Sequence, residues 1–572
     1  MYTTGADEPN PALESAPMRP LRVWAPEARA VVAEIDEARV PMRACDDGWW
    51  ETEARAGAGY AFLVDGEGPF PDPRSAHQPR GVHGPSRVVD HDAFPWTAKA
   101  FRAPPLAQGI VYEIHVGTFT PGGTFDAAIG KLDHLADLGV THVEIMPVNA
   151  FPGARGWGYD GVALYAPHEA YGGPDGLKRL VDACHARGLA VLLDVVYNHL
   201  GPEGNYLARF GPYFTDRYRT PWGAAVNLDG PFSDEVRRFV CDNARMWLRD
   251  YRLDGLRIDA VHAIHDRSAV HILEQLAQET RALEAELGRP LVLVAESHLN
   301  DPRIVASPAR GGYGIDAEWN DDLHHALHAL FTGERAGYYR DFGRIADVAK
   351  AIEKVFVHDG TYSAFRRRRH GRPAGLPGDR FVTFLENHDQ VGNRPGGERF
   401  HMLVTRGRLR CASALLFAAP QVPLLFQGEE WGASTPFFYF TDHGDRGLGH
   451  AVRDGRRREF KGFGWPHAES PDPQSKAAFE QSRLRWDECV AERLGWHRAL
   501  LRVRRELKGP AKVRFDEAKR WIVVEREGVR LACNLASEPQ AVPAEGEVLL
   551  ASEESLLPGK AFPPESCAFL RG

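Results

Sequence analysis

Between residues 110 and 428 the sequence alternates, again and again, between a short apolar run and a longer amphipathic stretch. The runs are IVYEIHV (110–116), HVEIMPV (142–148), AVLLDVV (190–196), GLRIDAV (255–261), LVLVAES (291–297), GIDAEWN (314–320), FVTFLEN (381–387) and VPLLFQG (422–428). Between them lie helical patterns such as TFDAAIGKLDHLADLG and DGLKRLVDACHARG. A strand that is apolar along its whole length is buried on both faces, which requires a parallel sheet covered by helices. Eight such units predict closure into a ring over an open sheet. The expected class is therefore α/β, a (β/α)8 TIM barrel.

The flanks read differently. Residues 1–20 are polar and proline-rich and are expected to form a flexible arm. From Leu21 to about Trp96 come short strand-like pieces, LRVWAP, AVVAEID and YAFLVDG, broken by Gly, Pro and Asp, which predict an Ig-like N-terminal β-sandwich over 21–100. FRAPPLAQG (101–109) reads as a linker into a barrel spanning 101–510. The barrel closes with a helix near CVAERLGWHRALLRVRREL (489–507). After about Lys512 short strands return (WIVVERE, VRLACNLA) and predict a small C-terminal β domain over 511–572.

Composition narrows the partners. A net charge of −9 with 26% charged residues gives no reason to expect nucleic acid or an anionic membrane. No apolar run is long enough to span a bilayer, and the N-terminal residues lack the basic and apolar regions of a secretion signal. The seven cysteines are scattered, with no CxxC or histidine-rich spacing, so neither a disulfide framework nor a zinc site is expected. Cytoplasmic location, a monomer, no cofactor and no metal are the corresponding expectations.

In a barrel of this kind the active site forms at the C-terminal ends of the strands. Those ends supply Asp194 and His199 after the third strand, Arg257 and Asp259 on the fourth, Glu296 on the fifth, and His388 and Asp389 on the seventh. A carboxylate on an otherwise apolar strand is costly to bury unless something pairs with it. Three of them converging on one mouth is what glycoside hydrolysis needs: one attacks, one donates a proton, one holds the distorted sugar.

The segments DVVYNHL (194–200), GLRIDAVH (255–262), LVAES (293–297) and FLENHD (384–389) resemble, in order, the four short motifs of the α-amylase superfamily, glycoside hydrolase family 13. The resemblance implies a retaining mechanism with Asp259 as nucleophile and Glu296 as acid/base, while Asp389 stabilises the transition state. It further implies that Arg257 keeps Asp259 ionised, that Glu296 has a raised pKa, and that His199 and His388 donate hydrogen bonds to the sugar. Tyr159, in GWGYDGV, would stack on the sugar being cleaved. The stretch from Leu200 to a helix starting near Ser233 is shorter than in ordinary secreted amylases, so a structural calcium is not expected.

Within the superfamily, YEIHVGTFTPGGTF, TPWGAAVNLDG, AESHLNDPR, WNDDLHHALH and FLENHDQVGNR resemble the trehalohydrolase group. That likeness implies cleavage of the α-1,4 bond beside the terminal trehalose of maltooligosyltrehalose. The alternatives are a glycogen branching enzyme, an α-1,6 debranching enzyme, and a non-catalytic carbohydrate-binding homologue. A trehalose leaving group needs a shaped acceptor side, for which Trp222, His262, Asn320, Asp321, Asp322, His324, Gln390 and Asn393 are candidates. Trp222 either offers an indole face to the sugar or only packs its loop.

Overall fold

The computed structural model describes residues 16–465, 469–556 and 560–572. Each of the eight runs contributes one strand: β1 Val111–Ile114, β2 His142–Ile145, β3 Ala190–Val195, β4 Gly255–Ile258, β5 Val292–Glu296, β6 Ala317–Trp319, β7 Phe381–Phe384 and β8 Val422–Phe426. They pair in parallel in sequence order, and β8 pairs with β1 to close the barrel. The strands are shorter than the runs. The trailing residues, Asp259 among them, and the residues just past them, such as His388, form the mouth.

Alternation along the strands decides what fills the barrel, because residues two apart point to the same side. Val111, Leu192, Val294, Ala317, Trp319, Phe384 and Leu424 make an apolar cluster closed from below by Leu106. One step of two residues further along β1, β3 and β5 come Glu113, Asp194 and Glu296. In register, Asp194 lies beside Arg257, Glu296 beside Trp319 and Glu144 beside Glu113. The barrel thus has an apolar floor and a charged upper layer. Helices Gly173–Ala186, Ser233–Arg249, Ile272–Leu287, Asp321–Thr332 and Arg406–Ala418 are among those between the strands.

Ahead of the barrel are two small antiparallel sheets. One holds Met18–Trp24, Trp49–Arg55 and Arg43–Ala44; the other holds Ala38–Pro41, Val31–Ile35, Gly59–Val64 and Glu67–Phe70, with Ser86–Arg87 beside it. The first strand opens at Met18, inside the stretch expected to be an arm, because pairing of Met18 with Arg55 satisfies its backbone. Residues 1–15 of that arm lie outside the described residues. Arg74 docks this unit on the barrel, donating to the Tyr165 hydroxyl at 3.0 Å and to Asp242 at 2.9 Å.

The chain ends in a five-stranded antiparallel sheet, in the order Lys512–Asp516, Trp521–Arg526, Val529–Asn534, Ser566–Arg571, Glu547–Ala551. One face, with Ile522, Val524, Leu531, Cys533, Cys567 and Phe569, merges with the core of the barrel; the other, with Val523, Ala532, Ala568 and Leu570, forms a separate cluster. No described helix is long and apolar enough to cross a membrane.

Candidate active site

Arg257 stands at the centre of the charged layer and is fully buried. Its Nη1 donates to both oxygens of Asp194, at 3.0 and 2.9 Å, and to Asp259 Oδ1 at 2.8 Å. Its Nη2 lies 3.3 Å from Glu296 Oε2, and its guanidinium rests over the Trp319 ring at 4.3 Å. One cation therefore touches carboxylates from β3, β5 and the end of β4. Arg257 and Asp259 share a side because they are two residues apart. The Asp259 amide, bonded to the Val195 carbonyl at 2.9 Å, carries the ladder one residue past the strand and fixes the carboxylate at the mouth.

A second chain of contacts runs across the barrel. Glu113 accepts from the His388 amide at 2.9 Å and lies 2.5 Å from its Nδ1. Burial alone would neutralise His388, but Glu113 and then Asp389 outweigh it and raise its pKa to about 9. His388 is then an imidazolium that donates at both nitrogens. Its Nε2 is 2.8 Å from the Tyr159 hydroxyl, which in turn donates to Asp194 at 2.6 Å. The tyrosine ring stacks on the histidine with centroids 5.2 Å apart. Glu144, beside Glu113, has no partner for either carboxylate oxygen among the described residues, and burial pushes its pKa far up. It is held as a neutral acid, which spares the layer one negative charge.

The catalytic pair departs from expectation in one respect. Burial pushes Asp259 well above the usual carboxylate range against the pull of Arg257, and Glu296 and Asp194 add to the push. Glu296 is desolvated too, but Arg257, His262 and the Ala260 amide, 2.6 Å from its Oε2, hold its carboxyl below that range. The pair keeps one proton, and without sugar that proton rests on Asp259. This reverses the expected order. Arg257 pulls on both carboxyls and is closer to Asp259, at 2.8 Å, than to Glu296, at 3.3 Å, so the donor that sets the two apart is the Ala260 amide on Glu296.

Asp389 is the most open of the three carboxylates, with its side chain 40% exposed, and accepts from Asn393 at 3.1 Å. Gln390 accepts from the Tyr338 hydroxyl at 3.2 Å. His262 packs on His298, ring centroids 3.7 Å apart, beside Glu296. Trp222 sits at the turn of a hairpin, Phe214–Thr220 with Gly223–Val226. Its indole is half exposed and stacks on His199 at 4.2 Å, with the rings 5° from parallel. His199 lies 3.0 Å from the Tyr159 carbonyl through Nε2, which must therefore carry the proton. Burial keeps this ring neutral, with a pKa near 4. With Nε2 held by the Tyr159 carbonyl, this arrangement leaves His199 no free N–H for the expected donation to a sugar. His388 is likewise bonded within the protein at both nitrogens.

Three candidates on the sixth unit serve the fold. Asn320 caps helix Asp321–Thr332 through the Asp322 amide and donates to the Val355 carbonyl. Asp322 accepts from the amides of Val357 and His358 and from Asn300. His324 is buried against the Tyr339 hydroxyl at 3.0 Å. Asp321 faces the site, in a cleft that Asp322 also lines. Burial, with Glu296, Asp322 and Asp389 nearby, raises its pKa to about 8, so at neutral pH it offers a proton. It lines that cleft with His298, His325, Tyr338, Phe365 and Arg366. Sequence reasoning passed over Glu113, although its signal, an acid within an apolar strand, was the one used elsewhere. It also passed over the 358–370 wall, whose RRRR run looks like an ordinary solvated stretch.

Comparison with known proteins agrees with this geometry. Residues 85–220 match the family model of the α-amylase catalytic domain, and residues 508–569 match a domain of unknown function, DUF3459. The chain is 50% identical to malto-oligosyltrehalose trehalohydrolase of Arthrobacter ramosus, covering 93% of this chain and 95% of that one. It is 48% identical to the enzyme of the same name from Mycobacterium tuberculosis, covering 94% and 96%. A crystal structure from Salmonella typhimurium, provisionally assigned as an α-amylase, superposes with a TM-score of 0.89 at 37% identity, covering 97% of each chain.

Proposed function

The chain belongs to the malto-oligosyltrehalose trehalohydrolase family, within the α-amylase superfamily, and from that premise we infer that it hydrolyses the α-1,4-glucosidic bond beside a terminal trehalose, releasing trehalose and a shortened maltooligosaccharide. The observation that carries the mechanism is the single guanidinium of Arg257 against Asp194, Asp259 and Glu296.

In this reading Asp259 attacks the anomeric carbon and Glu296 protonates the leaving trehalose oxygen. Glu296 then removes a proton from the water that frees the sugar. Asp389 holds hydroxyls of the distorted ring. The proton must be on Glu296 when the bond breaks. A Glu296 that turns from the Ala260 amide towards the leaving oxygen loses the bond that favours its anion. Once protonated it no longer repels Asp259, which ionises against Arg257. The charged His388, its partner Glu113 and the hydroxyl of Tyr159 form a bonded wall that holds Asp194 in place on the far side of the same sugar. On the acceptor side, Trp222, His262, protonated Asp321, Gln390 and Asn393 are the groups we assign to trehalose. We place the enzyme in the cytoplasm as a monomer, a setting that suits its free thiols.

A nucleophile and an acid about 5–5.5 Å apart act with retention. Incubation with maltooligosyltrehalose, maltooligosaccharide and branched glucan in parallel should release trehalose from the first far faster than any product from the others. NMR should show the α-anomer of the new reducing end first. Early β-anomer would overturn the mechanism; equal turnover of branched glucan would overturn the substrate.

A further inference from the structure

Cys411, Cys533 and Cys567 are far apart in sequence, with none of the spacing from which a metal site is expected. The fold brings all three to one point. Cys411 lies on helix Arg406–Ala418 of the barrel, and the other two lie on neighbouring strands of the C-terminal sheet. Each is fully buried, and their sulfur atoms all fall within 4.8 Å of one another. Cys533 and Cys567 are directly opposite in antiparallel register. The Cys567 amide and carbonyl are both taken by Ser552, at 2.9 Å each, on the other side of its strand. The pair is therefore a non-hydrogen-bonded one, in which side chains stand closest, and both sulfurs project towards the helix.

We propose that these three cysteines form a thiolate site for one soft, closed-shell cation, monovalent copper or zinc, clamping the C-terminal sheet to the barrel. Metal–sulfur bonds of about 2.3 Å put three sulfurs roughly 4 Å apart, a spacing the cluster reaches with small side-chain adjustments. No fourth histidine, cysteine or carboxylate joins the group among the described residues. Three sulfurs without harder ligands select soft ions. The Arg410 backbone carbonyl lies 3.7 Å from the Cys567 sulfur. The Arg410 guanidinium, only 12% exposed, donates to the Ser552 carbonyl. Binding displaces the thiol protons, so affinity rises with pH.

The test uses the full-length enzyme, stripped with a chelator under reducing conditions. It is titrated with copper(I) and, separately, zinc(II) against a chromophoric competitor. Cadmium(II) serves as a probe whose sulfur-to-metal absorption counts thiolates. The expected result is one ion and three thiolates per chain, with a higher melting temperature and an unchanged rate of hydrolysis. Whichever ion binds more tightly is the one the site prefers. Cys411→Ala should weaken binding by more than the roughly 10- to 100-fold that even a supporting contact is worth. Cys45→Ala and Cys489→Ala, at the partly and fully exposed cysteines, should not. Should Cys411→Ala fold poorly, the thiolate count on the unaltered enzyme decides. No bound equivalent, fewer than three thiolates, or full binding in a folded Cys411→Ala would overturn the site.

Discussion

At the scale of single residues, the site is a problem of like charges in a small volume. Among the described residues, Glu113, Asp194, Asp259 and Glu296 share the upper barrel with Arg257 and a charged His388, and burial, with Glu113 beside it, keeps Glu144 neutral. The productive state has one proton on the Asp259–Glu296 pair. As pH falls the pair takes a second proton and the nucleophile is lost; as pH rises it loses its only proton and the acid is lost. The profile of kcat/KM should therefore be a bell whose limbs belong to the pair. Its basic limb should lie above the ordinary carboxylate range, because burial and mutual repulsion resist the second ionisation. Asp259→Asn should lower kcat by several orders of magnitude for every substrate. Glu296→Gln should remove the basic limb, with the smallest loss on a fluoride or activated aryl glycoside, whose leaving group needs no proton. Equal losses on activated and natural substrates would assign the acid elsewhere.

At the scale of elements, hairpin 214–226 and the start of helix Asp321–Thr332 both supplied candidate readers of trehalose, but their side chains have different work. Trp222 presents a half-exposed indole already stacked on His199, a ring platform at the rim. Stacking with water exclusion is worth ~1–3 kcal/mol. Trp222→Ala should then reduce kcat/KM for maltooligosyltrehalose roughly 10- to 100-fold while plain maltooligosaccharide loses much less. A proportional loss on both substrates would return Trp222 to loop packing. Asp322 gives the contrast, because three buried donors converge on its carboxylate. Asp322→Ala should cost about 3 kcal/mol of stability, seen in the denaturation midpoint. It should leave the ratio of rates on the two substrates unchanged.

At the scale of the molecule, the C-terminal sheet is joined to the barrel through the end of helix Arg406–Ala418. Two buried arginines receive the carbonyls that the helix leaves open. Arg504, on helix Ala491–Arg504, donates to Phe417, Ala419, Pro420 and Gln421. Arg526, on the sheet, donates to Ala418 and Ala419. The positive charge at a helix C-terminus adds to these bonds. Arg504→Ala removes the arginine donor from Phe417, Pro420 and Gln421, while Ala419 keeps Arg526, and should destabilise the protein by about 3 kcal/mol. Per folded molecule kcat should be unaffected, since the site is at the other end of the barrel strands. An unchanged denaturation midpoint would show that water replaces the guanidinium without cost.

The eight strands, their order and the carboxylates Asp259, Glu296 and Asp389 were legible in the sequence by itself, for a local reason. Strand apolarity, period-two alternation and motif spacing are properties of contiguous residues, and the barrel only adds closure. What only the tertiary structure decided depends on residues that meet from distant parts of the chain. Asn320, Asp322 and His324 carry the same chemistry in sequence as true sugar readers, and only the structure shows their polar atoms engaged in capping and buried contacts. Glu113 gains its role from His388, more than two hundred residues away, and the Ala260 amide on Glu296 is a backbone donor that no side-chain motif records. The three cysteines have no spacing to betray them, because a strand pairing and a helix docking, not a sequence interval, bring their sulfurs together.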